Sequence, residues 1–426
     1  MSDVLYVLLD GHVAATIRRE RGDVELQYTP EHIRRRTRTP LSVSMPVTSQ
    51  TYRNTTVAPW LDGLLPDDDA VRRRWGRRFS VSAGSPFSLL STPIGEECAG
   101  AARFVTAERV DAMLAGKGDV RWLTEDEVGA RLRELLADSS AWLGADFSGR
   151  FSLAGAQSKV AMVYDDNADR WGLPEGAAAT SHILKPAISG LEDHDLNEHL
   201  CLRAAAACGL VTAPSRIVRF AGTSAIAVTR YDRAAGEPWL RRIHQEDMCQ
   251  ASSLHPASKY QNDGGPGSKD VATLLRAVLP ASQAEAGVWR LFDAVTFSWL
   301  IGGTDAHAKN DSLLLAGNQV ALAPLYDVAS VLPYGWTLQK LRLAMKYGGD
   351  YTLRTRTATI WPKVAAEFSL PVEQVRSRAG ALMDVVPDAF AEAAADPDVK
   401  ALGSVLPTTL ASKVAERVTQ CRETLA

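Results

Sequence analysis

The stretch "LIGGTDAHAKNDSLLLAGNQVALAPLYDVAS", residues 300–330, places Asp305, His307, Lys309 and Asn310 directly behind an apolar run and ends a second apolar run on Asp327. Upstream, "GVWRLFDAVTFSWLIGG" repeats its apolar residues at the helical period, so the polar group follows the end of a helix. Downstream, "QVALAPLYD" reads as a strand that delivers one carboxylate at its end. Polar groups carried into a core cost free energy unless they are partnered or employed, so this concentration of them asks for a task.

Asp305 and Asn310 form D-x-x-x-x-N, the offset of a phosphotransfer catalytic loop, where the Asp orients or deprotonates the accepting hydroxyl and the Asn holds Mg²⁺. Asp327 follows in the order expected of a metal-bridging carboxylate. Phosphoryl transfer needs phosphates placed and their charge neutralised rather than covalent help, and one base carboxylate, one amide and one metal carboxylate meet much of that need. Lys309 is either a point charge for the transferred phosphate or a solvated lysine. His307 either touches a phosphate or the metal-binding Asp, or braces the loop. Two other readings stand beside this one: a metal-dependent hydrolase with Asp305, His307 and Asp327 as ligands, and a structural loop capped by Asp305.

A phosphate-holding lobe is expected upstream. "SHILKPAI" puts Lys185 at the end of a strand-like run, and the chain carries only 11 lysines against 36 arginines; the alternative is an exposed edge lysine. Glu198, on the following helix, either pairs with Lys185 or completes a capping box with Asp195, the expected N-cap. "FSLAGAQSK" (151–159) is a small-residue loop in which backbone N–H groups around Ala154, Gly155, Ala156 and Gln157 cradle phosphate and Lys159 adds charge. Ser152 there is a loop hydroxyl or a site that receives phosphate itself. "AVTRYDR" (227–233) is either an adenine-binding hinge at Thr229, Tyr231 and Asp232, or an ordinary edge strand. No G-x-x-x-x-G-K-[ST] or G-x-G-x-x-G is present, which disfavours a P-loop ATPase or a Rossmann dehydrogenase.

The frame around these motifs is an ordinary globular one: 426 residues, 46% hydrophobic, 23% charged, net charge −3. That balance does not mark the whole chain as a polyanion binder, although arginines cluster in "EHIRRRTRTP" (31–40) and "VRRRWGRR" (71–78), either as solvated faces or as contacts for DNA or a protein partner. Five scattered cysteines fit a reducing cytoplasm, and no apolar run is long enough to span a membrane. Residues 1–145 read as a mostly β subdomain, with a hairpin turning at Asp10-Gly11, a strand in "LSVSMPV" (41–47), a helix from Val57 to Leu65, and a closing helix over 124–143 opened by a Thr124–Glu127 capping box. Residues 146–235 read as a small sheet with one helix, and residues 236–426 as an all-α lobe, with "KYQNDGGPGSKD" (259–270) as its clearest exposed loop. The fold class is α+β.

Taken together, "FSLAGAQSK", "HILKP", "NEHLCLRAAAACGL", "AVTRYDR", "HQEDMCQASSL", "KYQNDGGPG", "LIGGTDAHAKNDSLLL" and "LAPLYDVAS" resemble the successive signatures of HipA-type toxin kinases, and "WLDGLLPDD" is similar to the family's N-terminal subdomain. The resemblance implies a two-lobed protein-kinase-like fold of the phosphoinositide-kinase-like group. It also implies a serine/threonine kinase using ATP and Mg²⁺ that acts as the toxin of a type II toxin–antitoxin pair. It further implies an aminoacyl-tRNA synthetase as target, and a small helix-turn-helix (HipB-like) antitoxin through which the toxin joins operator DNA as corepressor. Carried over by motif, Asp305 is the base, Asn310 and Asp327 hold Mg²⁺, Lys185 holds the ATP phosphates, and Ser152 is the self-phosphorylated loop serine. Alternatives are a catalytically weak ATP-binding corepressor and a kinase of a lipid or small molecule. Two positions depart from the family pattern, Ala306 in place of a frequent Gly and Thr229 in place of a frequent Glu.

Overall fold

The computed structural model describes residues 3–143, 151–336, 340–353 and 357–425, so the 145/146 boundary expected from the sequence falls outside the described residues. The chain divides into two compact units, each assembled from separated stretches: Met1–Pro186, Val218–Ala257 and Ser312–Ala321 form one, and Ala187–Ile217, Ser258–Asp311 and Leu322–Ala426 form the other.

In the first unit, β1 (Asp3–Leu9) and β2 (His12–Glu20) pair antiparallel, and both turn residues, Asp10 and Gly11, have positive φ. That is the geometry a two-residue hairpin requires, and it explains the Asp-Gly pair. With β3 (Asp23–Tyr28) and β4 (Arg103–Val105) they form a sheet ordered β3-β2-β1-β4. The alternation in 41–47 does not form a strand: Leu41 donates its N–H to the Tyr28 hydroxyl, Val43 to the Glu246 carboxyl, and Met45 closes a turn on Ser42. Side chains satisfy that backbone, so no ladder is needed. The helix expected at Val57–Leu65 runs over Asn54–Asp62, and the capping box of Thr124 and Glu127 opens the helix Glu125–Ala137.

A six-stranded sheet follows, ordered β5-β7-β6-β8-β10-β9, from β5 (Gly118–Trp122), β6 (Val160–Asp165), β7 (Arg170–Gly176), β8 (His182–Lys185), β9 (Ser215–Phe220) and β10 (Thr223–Thr229). A ribbon of β11 (Arg233–Ala234) and β12 (Arg241–Arg242) and a sheet of β13 (His244–Asp247), β14 (Ser312–Ala316) and β15 (Gln319–Leu322) complete the strands up to residue 322. The C-terminal region is thus helical in bulk with short sheets interleaved. A continuous apolar core links Trp60, Trp75, Phe104, Trp142, Phe151 and Leu184, all buried.

The second unit is helical: His194–Ala207, Ser268–Val278, Ala281–Ile301, Ile360–Phe368, Val372–Ala395 and Leu406–Arg422, with a two-stranded hairpin at Arg342–Tyr347 and Asp350–Thr352. Its core is aromatic, Trp299 stacking on Tyr347 at 4.8 Å and meeting Trp361 edge-on. The N-cap position of the helix at 194 is Asp193, whose side chain makes no capping bond, rather than Asp195. Asp195 lies inside the first turn, which places Glu198 two residues beyond the capping-box position and removes that reading of it.

Candidate active site

The site in the second unit is built by a helix end. Helix Ala281–Ile301 stops at Gly302, which takes the left-handed conformation (φ 68°) that favours glycine at this position. Gly303 donates back to Ser298 at 2.7 Å, and Ala344 donates to the Thr304 carbonyl at 3.0 Å, so Asp305 leaves a pinned backbone. From there the loop folds on itself. The Asp305 carbonyl accepts from the His307 N–H and from Asn310 Nδ2, both at 2.8 Å, and Asn310 N–H donates to His307 O at 2.8 Å. Asp305 and Asn310 are therefore joined directly, and the bond through Nδ2 leaves Asn310 Oδ1 as the amide's acceptor.

The Asp305 side chain is 69% exposed, and one of its oxygens accepts the Tyr260 O–H at 2.6 Å. His307 is buried, with Nε2 3.9 Å from Asp305 Oδ2 and its ring edge-on to Tyr260 at 5.1 Å. Burial holds its pKa below the usual imidazole value; Asp305 and Asp327 pull it up and Lys259 opposes them. Lys309 is buried, which excludes the solvated-lysine reading, and its carbonyl accepts the Tyr326 hydroxyl at 2.7 Å. That bond ties the residue beside Asn310 to the residue beside Asp327.

Asp327 itself lies past the end of β15, on a segment whose Leu325 exchanges hydrogen bonds with Val211 and Ala213, each at 2.8 Å. Further on, Asn197 of helix His194–Ala207 clamps Ser330, donating Nδ2 to its carbonyl at 2.8 Å and accepting its N–H at 2.9 Å. Asp327 has φ 58°, a left-handed backbone at a non-glycine residue. Ala306 is not among the positive-φ residues, so a methyl group there meets no backbone objection.

An amide oxygen and a carboxylate, as Asn310 and Asp327 carry, are the donor types a hard cation takes while keeping its other positions for water and phosphate; the Tyr326–Lys309 bond is what links their two segments. Among the described residues no three His, Cys, Asp or Glu side chains are grouped to hold a metal. The hydrolase alternative, which needs Asp305, His307 and Asp327 on one ion, is not built here.

The nucleotide-side candidates belong to the first unit. Lys185 is buried on β8, an interior strand, so it is not an exposed edge lysine. In the loop, Ser152 is fully buried: its N–H donates to Glu97 O and its hydroxyl to Leu64 O, both at 2.7 Å. Gly155 has φ 106°, and a Cβ there would lie 2.8 Å from Lys159 Nζ, which donates to Ala154 O at 2.8 Å. Gln157 Nε2 reaches Pro186 O at 3.3 Å. Glycine thus lets an ammonium sit against the loop backbone, and that arrangement suits phosphate.

The hinge candidates divide. Thr229 ends β10, an interior strand rather than an edge, with Oγ1 3.1 Å from His182 Nε2; the Tyr231 hydroxyl donates to Gln245. Asp232 is buried in an ion network instead: its carboxylate accepts from Gly100 N–H at 2.7 Å, Arg230 at 2.9 and 2.7 Å, and Arg233 at 3.0 Å. With both oxygens employed, its side chain serves the fold and is not available to a ligand. The network, which also holds Glu97 and Arg242, was not visible in the sequence, because its members lie up to 145 residues apart.

Two described families match this chain: the HipA N-terminal domain over residues 5–105 and the HipA-like C-terminal domain over residues 151–390. A putative kinase, Y4mE, of Sinorhizobium fredii is 33% identical over 417 residues, covering 97% of each chain. The serine/threonine-protein kinase toxin HipA of Shewanella oneidensis is 28% identical over 324 residues, 72% of this chain and 70% of that one. The solved complex of the Shewanella HipA with HipB and its operator DNA superposes with a TM-score of 0.82 at 23% identity, over 99% of this chain and 98% of that one, a likeness that establishes the fold.

Proposed function

This chain belongs to the HipA family, whose relatives are named kinases, and from that membership we propose that it is an ATP- and Mg²⁺-dependent serine/threonine protein kinase serving as the toxin of a type II toxin–antitoxin pair. The observation that supports this most directly is the loop in which Asn310 Nδ2 grips the Asp305 carbonyl at 2.8 Å. That bond fixes the spacing of a base and a metal-holding amide while leaving the Asp305 carboxylate exposed to an incoming hydroxyl.

In this reading Asp305 orients the acceptor hydroxyl and takes its proton, Asn310 Oδ1 and Asp327 hold the metal, and buried Lys309 sets a positive charge in the loop. Lys185 and the 151–159 loop grip the phosphates, and backbone groups near Thr229 and Tyr231 meet the adenine edge. Mg²⁺, when bound, neutralises charge on the β- and γ-phosphates. Ser152 accepts phosphate from the kinase itself only after its loop leaves the seat where the hydroxyl bonds Leu64 O. The external target is a protein, an aminoacyl-tRNA synthetase, whose modification stops translation. The partner is a HipB-like helix-turn-helix antitoxin that brings the kinase to operator DNA as corepressor.

Incubation of the full chain with γ-labelled ATP and Mg²⁺ tests the reaction. Wild type is expected to incorporate label, and Asp305→Ala to lose it on the order of 10²–10⁴-fold with an unchanged melting temperature. Undiminished labelling in that variant overturns the assignment.

A further inference from the structure

The proposed base is the most exposed side chain of its loop, and an exposed carboxylate is free to turn about two torsions. Something must hold it, because a base that rotates away from the acceptor forfeits the advantage of prior orientation. We infer that Tyr260 is the positioning residue for Asp305: its hydroxyl holds Oδ1 so that Oδ2 faces the acceptor. This inference rests on the kinase reading of Asp305.

The geometry is specific. The O–H···O distance of 2.6 Å lies in the range of a charge-assisted hydrogen bond. Tyr260 is itself fixed. Its carbonyl accepts from Asp263 N–H at 2.9 Å and Gly265 N–H at 3.0 Å, its neighbour Lys259 accepts from Ala308 N–H at 3.3 Å, and its ring meets His307 edge-on. The next residue, Gln261, accepts from Lys346 N–H at 2.7 Å. The glycines of "NDGGPG" let this turn close: a Cβ at Gly265 would fall 2.2 Å from Ser258 O, and one at Gly267 2.2 Å from Gln261 Nε2. What reads in the sequence as an exposed loop is exposed at Asn262–Gly264 and again at Lys269 and Asp270; its start is fastened to the catalytic loop.

A phenol suits this task better than a cation. It fixes one oxygen while leaving the carboxylate able to accept a proton, whereas an arginine would stabilise the anion more strongly. In the transfer step the acceptor oxygen bonds to the γ-phosphorus as the bond from that phosphorus to the β,γ-bridging oxygen breaks. The acceptor proton passes to Asp305 Oδ2, and ADP departs. Tyr260 keeps its own proton throughout.

The test is a double-mutant cycle on the full chain, reading γ-phosphate incorporation at saturating ATP in wild type, Tyr260→Phe, Asp305→Asn and the double variant. Tyr260→Phe removes one oxygen and keeps the ring on His307. It is expected to lower kcat about 10- to 100-fold, to leave the ATP KM within about twofold, and to cost nothing further in the Asp305→Asn background. A wild-type rate in Tyr260→Phe, an equal fold-loss in both backgrounds, or weakened nucleotide binding in Tyr260→Phe overturns the assignment. If wild type transfers phosphate and Asp305→Asn is impaired, that failure leaves the kinase reading standing. A wild type that transfers none removes the kinase reading, and this inference with it.

Discussion

Asp327 combines a backbone that few residues tolerate with a carboxylate that the proposed chemistry requires. Its φ of 58° is a conformation for which most side chains pay on the order of 1–3 kcal/mol, and which Asn and Asp accept best after glycine. Asp327→Asn is therefore expected to keep the fold within about 1 kcal/mol while phosphotransfer falls by at least roughly 10²-fold. Urea unfolding beside the labelling assay checks both, and a large loss of stability would recast the residue as structural. The pairing of Asp305 with Asn310 was legible because it is local: the bond closes over 5 residues. The supports were not, since Tyr260 reaches Asp305 across 45 residues, Tyr326 reaches Lys309 across 17, and Asn197 reaches Ser330 across 133. Only a fold brings those partners together, and a tyrosine's spacing carries no signal of its partner.

At the scale of elements, helix Ala281–Ile301 must end in one place for the loop after it to be aimed. Arg417, buried on Leu406–Arg422, enforces that end: its guanidinium donates to Trp299 O at 3.1 and 2.9 Å and to Leu353 O at 2.7 Å. The Trp299 carbonyl lies at the helix terminus, where backbone acceptors lack intrahelical partners, and Leu353 follows the strand Asp350–Thr352. Arg417→Ala leaves Trp299 O with only the long Gly302 N–H bond of 3.4 Å and takes the guanidinium from Leu353 O, and is expected to cost about 2–4 kcal/mol in urea unfolding, with a fall in kcat as the loop loosens; unchanged stability would show that the guanidinium is not what holds this end. Helices of this kind were readable from periodicity and caps, as the Thr124–Glu127 box shows. The failure at 41–47 has the same root as the success elsewhere. Alternation marks which side chains are buried, but a strand also needs a free ladder edge, and here the Tyr28 hydroxyl and the Glu246 carboxyl took the N–H groups first.

Across the whole molecule, the first unit buries charge of two opposite kinds, and they set its pH response. Glu97 loses hydration on burial, which pushes its carboxyl up, but Arg242, Arg233 and Arg230 outweigh that and hold it well below the usual range; Arg230 and Arg233 do the same for Asp232. Because these folded pKa values lie below the unfolded ones, their contribution is complete above the ordinary carboxylate range and is lost as pH falls through it. Glu246 is the reverse case. Buried beside Asp247, with one oxygen accepting Val43 N–H at 2.7 Å, it is pushed up to about 8 from 4.5. Below the lower value it is protonated in both states; between the two the unfolded chain ionises and the fold keeps its proton, so stability declines as pH rises, and above about 8 the decline levels off. Glu246 is thus expected to subtract on the order of a few kcal/mol between pH 5 and pH 8, against the gain from His32, His199, His244 and His307, which burial holds below the usual imidazole value, while the acid limb falls below about pH 4; the difference between wild type and variant profiles isolates it. Glu246→Gln keeps an oxygen for Val43 N–H but has no proton to lose, so it should flatten the neutral-to-alkaline decline and leave the acid limb in place. Arg242→Met should do the opposite, weakening the acid limb by removing a cation from Glu97. A Glu246→Gln profile parallel to wild type between pH 5 and 8 would show that the Val43 N–H and the Ser42 side chain offset the burial of the ionised carboxylate and would overturn this reading.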